Sequence, residues 1–285
     1  MSPLRQQMIA AMRQCGFAVR THKSYLSAVS QLARYYHRSP EQLSPADLQT
    51  YFNHLAQERD LSGASCRLYL NAIRFLYLQV LHWQRFDVAL VVPKRAQRIP
   101  ELLTRGEIAR IIGACGNAKH RMLLETTYGC GLRVSEVIAL RVRDIDGERH
   151  LLRVEQGKGG KDRLVTLTPA LLDKLRIYWR HYRPTVWLFP SSPDPQVRLG
   201  ISAAQRLFTR AKAASGVTRV GGIHSLRHAY ATHQLEHGMP LHMLQRLLGH
   251  GNLQSTQRYT HWLPGSARTE RGHADLIAEL AVHHD

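Results

Sequence analysis

The pattern of apolar residues along this 285-residue chain keeps helical spacing over most of its length and changes period near its middle. After Thr21, the residues Tyr25, Val29, Leu32, Ala33 and Tyr36 form a stripe three to four apart. Ser44-Pro45 then supplies an N-cap and a first-turn proline ahead of Leu48, Tyr51, Phe52 and Leu55. Leu68, Ala72, Phe75 and Leu76 continue the pattern, and stripes of this period read as buried core. Between about residues 150 and 168 the spacing shortens. Leu152 and Val154 precede the glycine-rich run Gly157-Lys158-Gly159-Gly160-Lys161, and Leu164, Val165 and Leu167 follow it, the signature of a β-hairpin. Helical patterns resume from Pro169 to Arg183 and, past a Pro- and Ser-rich loop, run to about Ala214. Pro240 and Gly249 frame a short helix carrying Leu241, Leu244, Leu247 and Leu248. The expected fold class is mainly α with a small β-sheet (α+β).

A chain of this length has room for two domains with separate cores. The proline-bounded basic stretch Val92-Pro93-Lys94-Arg95-Ala96-Gln97-Arg98-Ile99-Pro100 reads as an extended linker. It divides a helical domain, residues 1–92, from a second domain at 101–285, with 93–100 as the linker between them. Thr104-Arg105-Gly106-Glu107 has the form of a capping box opening the next helix. The 39 Lys and Arg against 21 Asp and Glu leave a formal charge of +18, which calls for a polyanionic partner. Up to Pro100 there are 13 basic and 5 acidic residues, so the excess is shared by both halves and suits a protein gripping nucleic acid with both. Cys15, Cys66, Cys115 and Cys130 form no CxxC pair and no even framework, as expected of a reduced, cytoplasmic compartment. The amino terminus lacks an apolar signal core and no run approaches the roughly 18 apolar residues of a membrane span, so a soluble, unexported protein is expected.

Displacement at a phosphodiester requires a nucleophile, stabilisation of charge on the non-bridging oxygens, and a proton for the leaving oxygen. Clustered Asp and Glu would point to metal ions, but the acidic residues here are scattered. Arg133 sits in Gly131-Leu132-Arg133-Val134-Ser135-Glu136, and Arg227 in His224-Ser225-Leu226-Arg227. Two planar guanidiniums on one phosphate make a clamp. His224 and Arg227, three apart, would share a helix face, with Gly249-His250 and Tyr259 following downstream. His224-x-x-x-His228 has the spacing of a zinc-binding His-Glu-x-x-His helix, but Ser225 stands where the general-base glutamate belongs, and Arg227 would crowd a cation against the metal. No P-loop sequence is present.

Five segments in order resemble those of the tyrosine recombinases, the phage integrase family: Gly129 to Glu136, Gly157 to Arg163, His224 to Thr232, Leu247 to His250, and Thr256 to His261. With the helical front the resemblance covers nearly the whole chain. It implies that Tyr259 is the nucleophile, forming a 3′-phosphotyrosyl link and freeing a 5′ hydroxyl, and that Arg133 and Arg227 clamp the scissile phosphate. Lys158 is implied as the acid that protonates the leaving oxygen, with Lys161 the alternative. His224 would help activate Tyr259 as base or hydrogen-bond partner, and His250 would hydrogen-bond the phosphate. Also implied are a helical, SAM-like core-binding domain and a mixed α/β catalytic domain forming a C-shaped clamp on double-stranded DNA core sites with inverted repeats. The chemistry implied needs no metal, cofactor or ATP, and the location implied is the nucleoid. Because the first plausible helix begins near residue 4, a separate arm-site-binding domain is not expected. The stretch from Phe189 to His224 is short for the insertion of integron integrases, so small Xer-like and mobile-element recombinases fit best. The apolar helical pattern from Ala274 to Val282 would either pack on its own domain or dock on a neighbouring subunit, linking four protomers. An accessory DNA-binding protein without the chemistry and a type IB topoisomerase are the alternatives.

Overall fold

The computed structural model describes residues 2–59, 61–89, 101–155, 162–192, 194–249, 256–257, 259 and 276–281. Lys158, Lys161, His250 and all of the basic linker fall outside the described residues. Contacts divide the chain into two units, Met1–Arg98 and Ile99–Asp285.

The first unit is helical. It comprises α1 (Pro3–Gln14), α2 (Val19–Tyr36), α3 (Pro45–Asn53) and α4 (Gly63–Phe75). Local chemistry sets the boundaries. Ser44 accepts from the Asp47 backbone N–H while the Asp47 carboxylate accepts from the Ser44 N–H, a reciprocal cap that satisfies two orphan donors. His37 ends α2 in the left-handed conformation. α3 and α4 each run on into a turn of π-helix, His54–Glu58 and Leu76–Val80, which apolar spacing does not announce. The stripes meet in one core in which Met12, Leu32, Leu48, Phe52, Leu55, Ile73 and Leu76 are fully buried.

The second unit carries α5 (Arg105–Gly113), α6 (Ala118–Gly129), the one-turn α7 (Val134–Val137), then β1 (Ile145–Asp146), β2 (Leu151–Val154) and β3 (Arg163–Thr166). α8 (Pro169–Tyr182), α9 (Ile201–Ala214), α10 (His224–Glu236) and α11 (Leu241–Leu248) follow, with a last short helix at Leu276–Ala281. The expected capping box at Thr104 and Glu107 is formed. The expected hairpin is β2 paired antiparallel to β3, with Leu152 opposite Val165. A third strand, β1, pairs on the other edge of β2 through two residues, too few for any alternation to be read from sequence.

Two helices form the centre of this unit. α6 is buried continuously from Met122 to Gly129, and α10 from Leu226 to Leu235 except at His228. Helices apolar all round belong inside a core, and the polar groups they bring are satisfied there. Thr126 and Thr127 donate to the carbonyls one turn back, and Lys174 donates to Glu125 at 2.7 Å. The Tyr128 hydroxyl meets His233 Nδ1 at 2.8 Å, and burial holds the His233 imidazole down at about 4, hence neutral. Leu276 and Ile277 of the last helix are buried in the same unit, and Gly129 leaves the space: a Cβ there would come within 2.8 Å of Ile277 Cγ1.

Truncating Leu32 to Ala should cost about 2–5 kcal/mol, a cavity penalty confined to the first unit. Native-state hydrogen exchange should show α2 and α4 amides losing protection while those of α6 keep theirs.

Candidate active site

The site is built around a tight turn after α6. Gly131 adopts φ +58°, and a Cβ on it would come within 2.4 Å of Tyr230 Cδ1. That requirement for glycine places its carbonyl where Arg227 Nη1 donates to it at 2.7 Å. Two residues on, Arg133 begins α7. Its backbone N–H donates to Glu136 Oε2 at 2.8 Å, and its guanidinium to Glu136 Oε1 at 2.7 Å.

Glu136, with its side chain 5% exposed, receives more than Arg133. Arg163, the first residue of β3, donates Nη1 to Oε1 at 2.9 Å and Nη2 to Oε2 at 2.8 Å, a bidentate pair. Arg227 Nη1 stands 3.5 Å from Oε2. Among the described residues, three guanidiniums therefore meet on one buried carboxylate.

The same three arginines hold the end of α11. Arg163 Nε donates to the Leu247 carbonyl at 2.7 Å, Arg227 Nη2 to that of Leu248 at 2.6 Å, and Arg133 Nη1 reaches the latter at 3.4 Å. The last carbonyls of a helix have no intrahelical donor and carry the negative end of its dipole, so cations belong there. Gly249 ends the helix at φ +61°, and a Cβ on it would stand 3.0 Å from Arg163 Cδ. His250, the next residue, lies outside the described set.

This crowding tunes the charges. Burial pushes the Glu136 carboxyl up, but hydrogen bonding and charge from Arg163, the Arg133 N–H and the Arg227 charge outweigh it and hold the group down at about 2. Arg227, 4% exposed, is pushed down to about 9 by burial and by the neighbouring Arg133. It is still cationic at neutral pH.

Tyr259 is fully buried, and its hydroxyl lies 2.9 Å from His228 Nδ1. α10 thus carries Arg227 and, at the next residue, the partner of the tyrosine. His224 occupies the first residue of α10 and is exposed, while Arg227 one turn on is buried. The structure brings Arg133, Arg227 and Tyr259 together through Glu136, α11 and α10. The resemblance implies His224 as base or hydrogen-bond partner of Tyr259, and the structure also sets His228 against the hydroxyl. Helix spacing puts both on α10, but which of them meets residue 259 depends on where the chain returns. Arg163 was quoted in the hairpin motif without a role; its position at the start of β3 was the available signal. His233, further along α10, meets Tyr128. Among the described residues no group of three or more His, Cys, Asp or Glu could hold a metal ion, and no helix is long and apolar enough to cross a membrane.

Residues 101–265 match the phage integrase family, and residues 4–85 match the N-terminal SAM-like domain of phage integrases. The chain belongs to the phage integrase family. This family member is 40% identical to an integrase/recombinase of Sinorhizobium fredii over 91% of its own length and 84% of that protein. It is 34% identical to the tyrosine recombinase XerD of Caulobacter vibrioides, over 79% of this chain and 80% of the other. Among solved structures, the XerH site-specific recombinase bound to a palindromic difH substrate aligns with a TM-score of 0.71 over 92% of this chain and 82% of that one. At 19% identity that likeness is one of fold.

Two outcomes follow from the cluster. Gly131→Ala should lower the unfolding free energy by about 2–4 kcal/mol in a denaturant melt, from left-handed strain plus overpacking against Tyr230. Because the Glu136 carboxyl is depressed in the folded state, its contribution is complete above the usual carboxylate range, near 4.5, and is lost as pH falls towards about 2. Denaturant melts across that window should show a loss on the order of 3 kcal/mol from this group, a component absent in Glu136→Gln.

Proposed function

We propose that this tyrosine recombinase performs site-specific recombination by cleaving and rejoining DNA strands through a 3′-phosphotyrosyl intermediate on Tyr259, without metal or ATP. The observation that carries the reading is the buried Tyr259 hydroxyl held on α10 beside Arg227, itself part of a three-arginine cluster. Attack by the hydroxyl on the scissile phosphorus forms the phosphotyrosyl bond and releases the 5′ oxygen. Arg133 and Arg227 receive the charge that develops on the non-bridging oxygens, and the arrival of that anion relieves the crowding of Arg227. Lys158, from the turn between β2 and β3, protonates the leaving 5′ oxygen, with Lys161 as the alternative. His224, exposed at the start of α10, helps activate Tyr259 as base or hydrogen-bond partner, and His250, next after the Gly249 cap, hydrogen-bonds the phosphate. The covalent link conserves the bond energy, so rejoining needs no nucleotide.

The DNA partner is a duplex core site with inverted repeats. Support on the first unit comes from a shallow groove of about 300 Å³ lined by Arg5, Lys23, Ser27, Ser30, Gln31 and Arg34, a set suited to phosphate oxygens. Four protomers assemble on two sites by exchange of the tail helix, which in the single chain buries Leu276 and Ile277, the latter beside Gly129 of its own unit. In the cell the protein works in the cytoplasm at the nucleoid.

A nicked suicide substrate incubated in EDTA without ATP should trap a covalent protein–DNA adduct, and Tyr259→Phe should abolish it. A metal requirement, or an adduct that survives in the Phe variant, overturns the mechanism. Arg133→Ala should slow single-turnover cleavage by roughly 10²–10³, while gel-shift affinity changes far less, because many other cations contact phosphate.

A further inference from the structure

We infer that His228 accepts the Tyr259 proton during strand cleavage and returns it during rejoining. The inference rests on Tyr259 being the nucleophile and names the group that makes it one. A phenol ionises near pH 10, so at neutral pH only about one in a thousand is phenolate. Attack therefore needs a proton acceptor in contact with the hydroxyl, and His228 Nδ1 is there at 2.9 Å. Its ring is tilted 46° to the Tyr259 ring with centroids 5.8 Å apart, a contact that fixes both side chains. The backbone beneath is anchored, since Leu226, Arg227, Ala229 and Tyr230 on either side are all buried.

The step balances without any other reactant. With the imidazole neutral and its hydrogen on Nε2, the Nδ1 lone pair takes the phenolic proton as the Tyr259 oxygen bonds to phosphorus. The P–O5′ bond breaks, its electron pair leaves on O5′, and the general acid protonates that oxygen. His228 becomes imidazolium, and in rejoining it returns the proton to Tyr259 as the 5′ hydroxyl displaces it. Among the described residues, the charged and titratable groups near the pair include Arg227, the Arg133, Glu136 and Arg163 that surround Arg227, and His224 one turn earlier on α10.

The test is single-turnover cleavage of the suicide substrate between pH 5 and 8. Wild type should slow as pH falls, because protonated His228 has no lone pair to offer. His228→Asn places an amide near the position of Nδ1, so it keeps a hydrogen bond to Tyr259 but cannot take the proton. It should cleave roughly 10²–10³-fold more slowly, lose the acid limb, and bind the site in gel shifts as wild type does. In His228→Ala, added imidazole should restore part of the rate. The proposal is overturned if the Asn variant cleaves within a few-fold of wild type, if it is slow but keeps the acid limb, or if the wild-type rate is flat across this range. Failure of the underlying reading looks different: an adduct would form in Tyr259→Phe whatever residue occupies 228.

Discussion

Glu136 is the carboxylate on which this active centre depends. Arginines from three separate segments converge on it: Arg133 from the turn after α6, Arg163 from β3, and Arg227 from α10. Without a buried anion between them, guanidiniums this close would repel one another and pay the full desolvation cost of burial. One carboxylate and the terminal carbonyls of α11 together make the cluster tolerable, and neither alone has enough acceptors for so many donors. With three guanidiniums on one carboxylate, the arrangement keeps net positive character at this point of the fold.

The connection to α11 ties the catalytic segments into one object. Arg163 links the hairpin that leads from Lys158 to the helix end that leads into His250, and it passes so close to Gly249 that a side chain there would have to displace it. Arg227 bridges the Gly131 turn and the same helix end. A disturbance at any one of these contacts therefore reaches the others through short hydrogen bonds and packed backbone. In such a centre, the distinction between a residue that holds the fold and one that holds the phosphate largely disappears.

Much of the fold was legible in order and spacing. Capping chemistry is local, so the starts of α3 and α5 could be read at Ser44 and Thr104, and the change of apolar period announced the β2–β3 hairpin. Elements defined by partners and not by their own residues were harder to see. The two-residue strand β1 exists because β2 has an open edge, and the π turns after α3 and α4 reflect the core they pack against. In the candidate site, Arg133, Arg227 and Tyr259 stood out as residue types with a chemical use. Arg163 and His228 did not, because an arginine opening a strand and a second histidine on a helix are each commonplace.

The sequence by itself determined the inventory: a mainly helical chain with a hairpin, cations in both halves, and arginines, histidines and a tyrosine in the order of the phage integrase family. Residue type and spacing along the chain carry that much because they set helix faces, caps and charge without reference to distant segments. Which side chains touch was decided by the tertiary structure alone. Glu136 and Arg163 are 27 residues apart, Arg227 and the Gly131 carbonyl 96, and His228 and Tyr259 31. Those pairings follow from how α6, β3, α10 and α11 pack into one core, and packing depends on the fit of many side chains at once, which no local pattern encodes.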